Sequence, residues 1–442
     1  MDYLFLDEKG TQNTIKALDD KDMYSDSQKI QLGSDNMKTF VSSVVKISSG
    51  NIGGLEQEYS IVEQNYLNER QQSQKIIDEV KGALILKRKF EYGAASMNKK
   101  GIAFYSELLD LLKKYQVQHH FFAINKIPLA IDRRFKDWIL SIAEKQQKPV
   151  ANTILYSLSK YVSIEASEKV IKALFNREVS DEEVLDLITN DIKAFILKYD
   201  KQTSNRLTIQ IASYKCLLEI FNCFKDTLIS KSYEDSKFIT FNWKKAVFTI
   251  DLWLIELQLD RSNLKLRLDN GIDSKHFDEL NLLEVQEGLD SKMYPGLRIA
   301  DVLIVFIGGY ISKMSEKTMY NKEQPFESQY LPVKFFQLSK EQFELLIKIK
   351  DYLFNTGLQY SYTNDLYFDD TEIFKTFLEY LDSFSSFEEF KAIKLNSHPL
   401  EHFKMLAVVS QRKYREMNYN ELCAISFSGS LKKAITSGLV RP

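Results

Sequence analysis

Two strand-bearing parts of the chain are separated by the run from Pro128 to about Asp235, in which no strand signal occurs; this interruption restricts the architecture more than any other feature. Before it, Tyr3 to Leu6 is an apolar and aromatic run closed by Asp7-Glu8-Lys9-Gly10, which reads as a buried strand ending in a turn. Thr39 to Ser48 carries Val41, Val44, Val45 and Ile47 and reads as a second strand, broken by Ser49-Gly50-Asn51. His119 to Ile124 is a third. After the interruption, strand signals return at Phe238 to Phe241, Leu264 to Leu268 and Leu282 to Val285.

Within the interruption, Asn152 to Tyr161, Ser167 to Phe175, Asp181 to Lys198 and Arg206 to Ser230 repeat apolar residues at spacings of three and four, as amphipathic helices do. Ser180 followed by Glu183 is a capping-box pattern at the start of the third. The expected organisation is an α/β core formed discontinuously by residues 1–127 and 236–314, a helical insertion at 128–235 and a helical C-terminal region at 315–442, rich in Phe and Tyr. Core helices are expected at Leu55 to Lys75, Lys99 to Tyr115, Ala246 to Leu259 and from Pro295 onward, with a polar loop at Thr11 to Lys38.

At 442 residues the chain exceeds one ordinary core, which stops growing at about 250–300 residues. No stretch approaches the roughly 18 uncharged apolar residues of a membrane span. The best candidate, Ile299 to Ile311, carries Asp301 and two glycines, so no membrane partner is expected. An acidic, strand-like N-terminus without a positive leader region leads to an expected cytoplasmic location. Three cysteines argue against a disulfide framework, and Cys216 and Cys223 are expected to be buried small hydrophobes on one helix face. With 59 basic against 61 acidic residues there is no global charge to recruit nucleic acid, so any such contact must be local.

Four acidic residues stand out by placement. Asp7 and Asp269 end strands, Glu79 lies in Asp78-Glu79-Val80-Lys81-Gly82 just after a helix, and Asp301 sits in a helix that is otherwise apolar on nearly every side. Burying an unpaired charge is costly, so Asp301 needs a partner, either Arg298 three residues back or a bound cation. Adjacent strand residues face opposite ways, which ranks Glu8 below these four as a metal ligand.

Together these boxes resemble a bacterial group known only as domain-of-unknown-function family 3800. Tyr3-Leu4-Phe5-Leu6-Asp7-Glu8-Lys9-Gly10 resembles its opening strand end, and Glu79-Val80-Lys81-Gly82 its Glu-Ile/Leu-Lys-Gly/Ala box. Asp269 falls where that family places an Asp after a central strand. Asp290-Ser291-Lys292 with Pro295-Gly296-Leu297-Arg298-Ile299-Ala300-Asp301 resembles its closing Ser-Lys and Leu-Gln-Leu-Ala-Asp boxes. The resemblance covers residues 1 to about 127 and 236 to 311. Lys9 stands where the family has Ser, and Arg298 where it has Gln, and both bring positive charge to the site.

The resemblance implies a ribonuclease-H-like mixed sheet. It also implies that Asp7, Glu79, Asp269 and Asp301 converge as catalytic and metal-holding residues on two Mg2+ or Mn2+ ions, with Glu8 a weaker candidate. The implied activity is hydrolysis of phosphodiester bonds in RNA or DNA, in a role such as anti-phage defence. Such chemistry needs oxygen ligands and no nucleophilic side chain. Nucleic acid is then the expected partner, met by Lys9, Lys81, Lys87, Arg88, Lys89 and Arg298, and Phe90 and Tyr92 beside the basic run could stack a base. The competing expectation is a non-catalytic binding or scaffold protein of the same fold within a defence complex, favoured by Lys9 and Arg298 and holding a protein partner or a second copy through its helical regions.

Other features have plainer readings. His119-His120 are expected on a strand surface, since neighbours there cannot easily chelate one ion; His276 lies near enough to Asp269 in sequence to be weighed as a base. Gly308-Gly309 lacks the context of a phosphate loop and reads as helix C-terminal punctuation. Gln411-Arg412-Lys413-Tyr414-Arg415 is a second basic and aromatic cluster.

Overall fold

The computed structural model describes residues 1–10, 39–68, 79–86, 90–146, 148, 150–201, 205–233, 239, 241, 243–318, 330–364, 370–429 and 433. Strands β1 (Asp2–Lys9), β2 (Thr39–Ser48), β3 (Gln118–Asn125), β4 (Leu264–Asp269), β5 (Glu284–Leu289) and β6 (Tyr362–Asn364) form one mixed sheet in the order β5-β4-β1-β2-β3-β6. β2 runs antiparallel to β1 and β3, while the pairs β1/β4, β4/β5 and β3/β6 are parallel. The expected mixed α/β core is present.

Alternation along the strands divides the sheet into two faces. Phe5, Val41, Val45 and Phe121 pack on helices α1 (Ser49–Asn68), α3 (Lys99–Lys114) and α10 (Pro295–Thr318). Leu4, Leu6, Val44, Phe122, Leu266 and Leu268 face α9 (Lys244–Glu256), where Ile250 and Trp253 cover them. A strand such as β2, apolar on both faces, is what a sheet covered on both sides requires.

The interruption is helical, as its spacing predicts: α4 (Lys126–Gln146), α5 (Ala151–Ile164), α6 (Glu168–Leu174), α7 (Asp181–Tyr199) and α8 (Asn205–Phe224) enclose a second apolar core, to which Ala424 and Ile425 near the C-terminus also contribute. Ser180 caps α7, its hydroxyl accepting from Glu183 N at 3.1 Å. The remaining helices are short α2 (Gly82–Leu86) and the C-terminal α11 (Lys340–Phe354), α12 (Asp370–Asp382), α13 (Phe387–Ala392) and α14 (His398–Ser428).

Several expectations are corrected. The C-terminal region is not helical throughout, because Tyr362–Asn364 adds the edge strand β6; its residues Phe336, Leu346 and Phe377 also share the apolar core of the α10 face. Ile239 and Phe241, in the run expected as a strand, are not strand residues; Phe241 instead stacks on Phe40 with ring centroids 3.8 Å apart. β5 begins two residues later than its apolar run suggests. Cys216 and Cys223 are exposed, since the buried stripe of α8 runs through Tyr214, Leu217 and Phe221.

Helix α10 is long and apolar enough by composition to cross a membrane, but 78% of its apolar window is buried inside the fold, as a core helix requires. It starts with Pro295 at the first helical position, where the missing N–H is not needed. Gly296 lies so close to β1 that a Cβ there would sit 2.4 Å from the Phe5 ring, and one on Gly308 would sit 2.9 Å from Val41. Gly308-Gly309 is therefore a mid-helix contact point rather than a terminus. Between the two glycines the helix rises ~18 Å, which brings Asp301 to the level of the end of β1.

Candidate metal centre at the strand ends

Phe5, Asp7 and Lys9 alternate onto the face covered by α10, and Glu8 onto the other. Asp269 follows directly on Leu268, the residue paired with Leu6, so the ends of the adjacent parallel strands β1 and β4 present Asp7 and Asp269 side by side. Asp301 reaches this position from α10. Glu79 arrives on the segment before α2, where Gly82 packs so tightly on α10 that a Cβ would lie 2.6 Å from Val305 Cβ. That approach lets the Gly82 amide donate to Asp301 Oδ2 at 2.7 Å.

The four carboxylates, nearly 300 residues apart at the extremes, thus share one region and feel one another's charge. Asp7 is only 8% exposed, and its carboxyl is held well above the usual aspartate range, by burial first and then by Asp301 and Asp269. Burial also raises Asp301, opposed by the Gly82 amide, Lys81 and Lys9 and reinforced by Asp269. Asp269 is raised by burial, with Glu79 and Asp290 adding to it and Lys81 opposing. Glu8 is the last and least of the influences raising Asp7.

Compensating charge is scarce. Among the described residues, neither Asp7, Asp269 nor Asp301 forms an ion pair. Lys81 is exposed and pairs with Glu79 at 3.1 Å. Lys9 is half-buried, and burial lowers its pKa against the pull of Asp301 and Asp7. Asp7 Oδ1 accepts from the Glu8 amide at 2.7 Å. Asp7, Glu79, Asp269, Asp301 and Asp290, with Lys9 and Lys81 among them, offer only oxygen donors and an excess of negative charge, the chemistry a hard divalent cation favours. As placed, no group of three or more His, Cys, Asp or Glu among the described residues stands close enough to hold a metal ion.

Arg298 corrects two expectations: it neither pairs with Asp301 nor faces outward to phosphate. It is buried on α10 and binds Glu63 of α1 through Nε to Oε1 at 2.9 Å and Nη2 to Oε2 at 2.8 Å. Its Nη1 donates to the carbonyls of Ser291 and Lys292, each at 2.9 Å. Lys87, Arg88 and Lys89 lie outside the described residues.

Three residues near the site were not singled out for it by sequence. Asp290 and Ser291 occur in a recognisable box, but their roles depend on a turn at Ser291–Met293 that no local pattern announces. Glu63 sits in a helix of many polar residues and carries no distinguishing signal.

His119 and His120 are core residues rather than surface ones, whereas His276 is exposed. His119 and His120 are buried, which lowers their pKa values to about 3 and about 4, and His120 contacts the Tyr360 carbonyl at 2.6 Å. His276 stacks near Trp243, with ring centroids 6.1 Å apart. Cavities of about 550 Å³ between α3, β3 and α11 and about 500 Å³ between α5, α8 and α14 include none of the four carboxylates. Lys413 of the second basic cluster is tied to Glu372 at 2.6 Å.

Compared with models of known families, with curated proteins and with solved structures, the chain matches none.

Proposed function

We propose that this chain is a divalent-metal-dependent nuclease with a ribonuclease-H-like core, hydrolysing phosphodiester bonds of RNA or DNA. One observation carries the reading: Asp7 and Asp269 at the ends of adjacent parallel strands, Asp301 on a late helix and Glu79 meet with too little positive charge to balance them. The mixed six-stranded sheet, in which β2 alone runs against the others, supports an α/β core of this kind. Crevices at the carboxyl ends of parallel strands are also where open α/β sheets place ligands.

On this reading Asp7, Asp269, Asp301 and Glu79 would hold Mg2+ or Mn2+, with Asp290 at the margin. Bound there, such ions supply an activated water and charge stabilisation for a leaving oxygen. Lys81, exposed beside Glu79, meets the substrate phosphate. Lys9 lies half-buried at the α10 side, where burial lowers its pKa, and its presence there is also the observation favouring the second reading, a non-catalytic binding or scaffold protein of the same fold.

The deciding experiment incubates labelled single- and double-stranded RNA and DNA with Mn2+ or Mg2+ and wild-type or Asp301→Asn protein. Cleavage by the wild type and its loss in the variant, with the fold retained, is expected, because Asn keeps the shape but removes the charge that holds a cation. Equal cleavage by both would reject the assignment. No cleavage of any substrate, together with no Mn2+ binding by calorimetry, would favour the binding protein.

A further inference from the structure

The most elaborate polar contact near the strand ends belongs to a residue that touches none of the four carboxylates. Arg298 and Glu63 are 235 positions apart, and their side chains are each 8% exposed. A pair so deeply buried gains little net stability over an apolar pair of similar volume, so its stability alone is a weak account of it. Its geometry is more informative. The guanidinium fork uses Nε and Nη2 to fasten to α1, and Nη1 to grip two successive carbonyls of the Ser291–Met293 turn. The hydroxyl of Ser291 then donates to Glu79 Oε2 at 3.1 Å. Asp290 closes the same turn, accepting from Lys292 N at 3.0 Å.

We infer that the Glu63–Arg298 pair is a positioning device: it fixes the Asp290–Ser291 turn and, through the Ser291 hydroxyl, aims the Glu79 carboxylate at the strand-end carboxylates. The inference rests on the metal-centre reading above and assigns that centre its outer support. Lysine cannot replace Arg298, because a single ammonium on a flexible stem cannot hold a carboxylate with two parallel bonds and two carbonyls at once. Groups that orient metal-holding side chains from behind typically change metal affinity by about 10–100-fold when removed.

The test is calorimetric Mn2+ titration of wild type, Arg298→Lys, Ser291→Ala and Ser291→Thr, with melting temperatures of each protein measured in chelator. Ser291→Ala keeps the ion pair and removes only the link to Glu79, so it remains informative even if Arg298→Lys folds poorly. The expected result is Mn2+ affinity lower by about 10-fold or more in Ser291→Ala and Arg298→Lys, recovery in Ser291→Thr, and a chelator-state melting temperature in Ser291→Ala equal to that of the wild type. Wild-type affinity in both weakened variants would overturn the positioning role while leaving the metal centre standing. Absence of Mn2+ binding by the wild type itself would overturn both.

Discussion

Buried carboxylates are treated in opposite ways in the helical insertion and at the ends of β1 and β4. Asp181, at the start of α7, is fully buried, yet both its oxygens accept from donors within the fold: Arg134 Nη1 at 2.7 Å, Tyr233 hydroxyl at 2.9 Å and Lys231 N at 3.1 Å. Arg134 in turn donates to the carbonyls of Leu174, Ala173, Asn176 and Val179. Asp7, nearly as buried, has one amide and two neighbouring carboxylates. The charge of Asp181 is neutralised from within the chain, whereas Asp7, Asp269 and Asp301 form no ion pair among the described residues.

The sharpest way to break this contrast is to remove the internal compensation. Arg134→Met should destabilise the protein by about 3–5 kcal/mol, because it strands the Asp181 charge in the core. Urea denaturation checks it; a loss below about 1 kcal/mol would show that Asp181 is not dependent on its partner.

Glu421 offers an intermediate case, a buried carboxylate compensated by backbone dipoles instead of a cation. It accepts from the amides of Ala151 at 2.8 Å and Asn152 at 3.1 Å, at the start of α5. Glu421→Ala should cost about 1–2 kcal/mol, as loss of a helix cap does. Glu421→Gln should recover much of this in the same denaturation experiment, since an amide oxygen can still accept.

Asp7→Asn should have the opposite sign. The folded pKa of Asp7 lies above its ordinary value of 3.8, so folding favours the protonated form and stability falls as pH rises from that value through the folded pKa. At pH 7 the variant should therefore be more stable than the wild type in chelator. Its advantage should fade below about pH 4, where the wild type is protonated in both states. Saturating Mn2+ should reverse the order at pH 7, since a ligand at 100 times its Kd stabilises the folded wild type by about 2.7 kcal/mol. Melting temperatures at pH 4 and pH 7, with and without Mn2+, check both parts; a destabilised variant in chelator at pH 7 would mean that Asp7 has a partner within the fold.

What the sequence by itself determined was periodicity and the local anomalies within it. The apolar run of β1, the β-branched run of β2, three-and-four spacing from α4 to α8 and the Ser180 cap are set by neighbours within a few residues, so they could be read directly. Asp301 was conspicuous for the same reason, as a charge in an apolar helix. The partner of that charge could not be read. Arg298 is suitably spaced on the same helix, but its fork matches Glu63 on α1 and a turn on the way into α10, geometry that exists only after three distant segments have packed. The same holds for Cys216, His119 and Tyr362–Asn364. Which side of a helix faces inward, which strand is covered on both faces and which short segment completes a sheet edge depend on long-range packing. Tertiary structure alone brought Asp7, Glu79, Asp269 and Asp301 within electrostatic reach, because Gly82 and Gly296 permit backbone approaches whose partners lie hundreds of residues away.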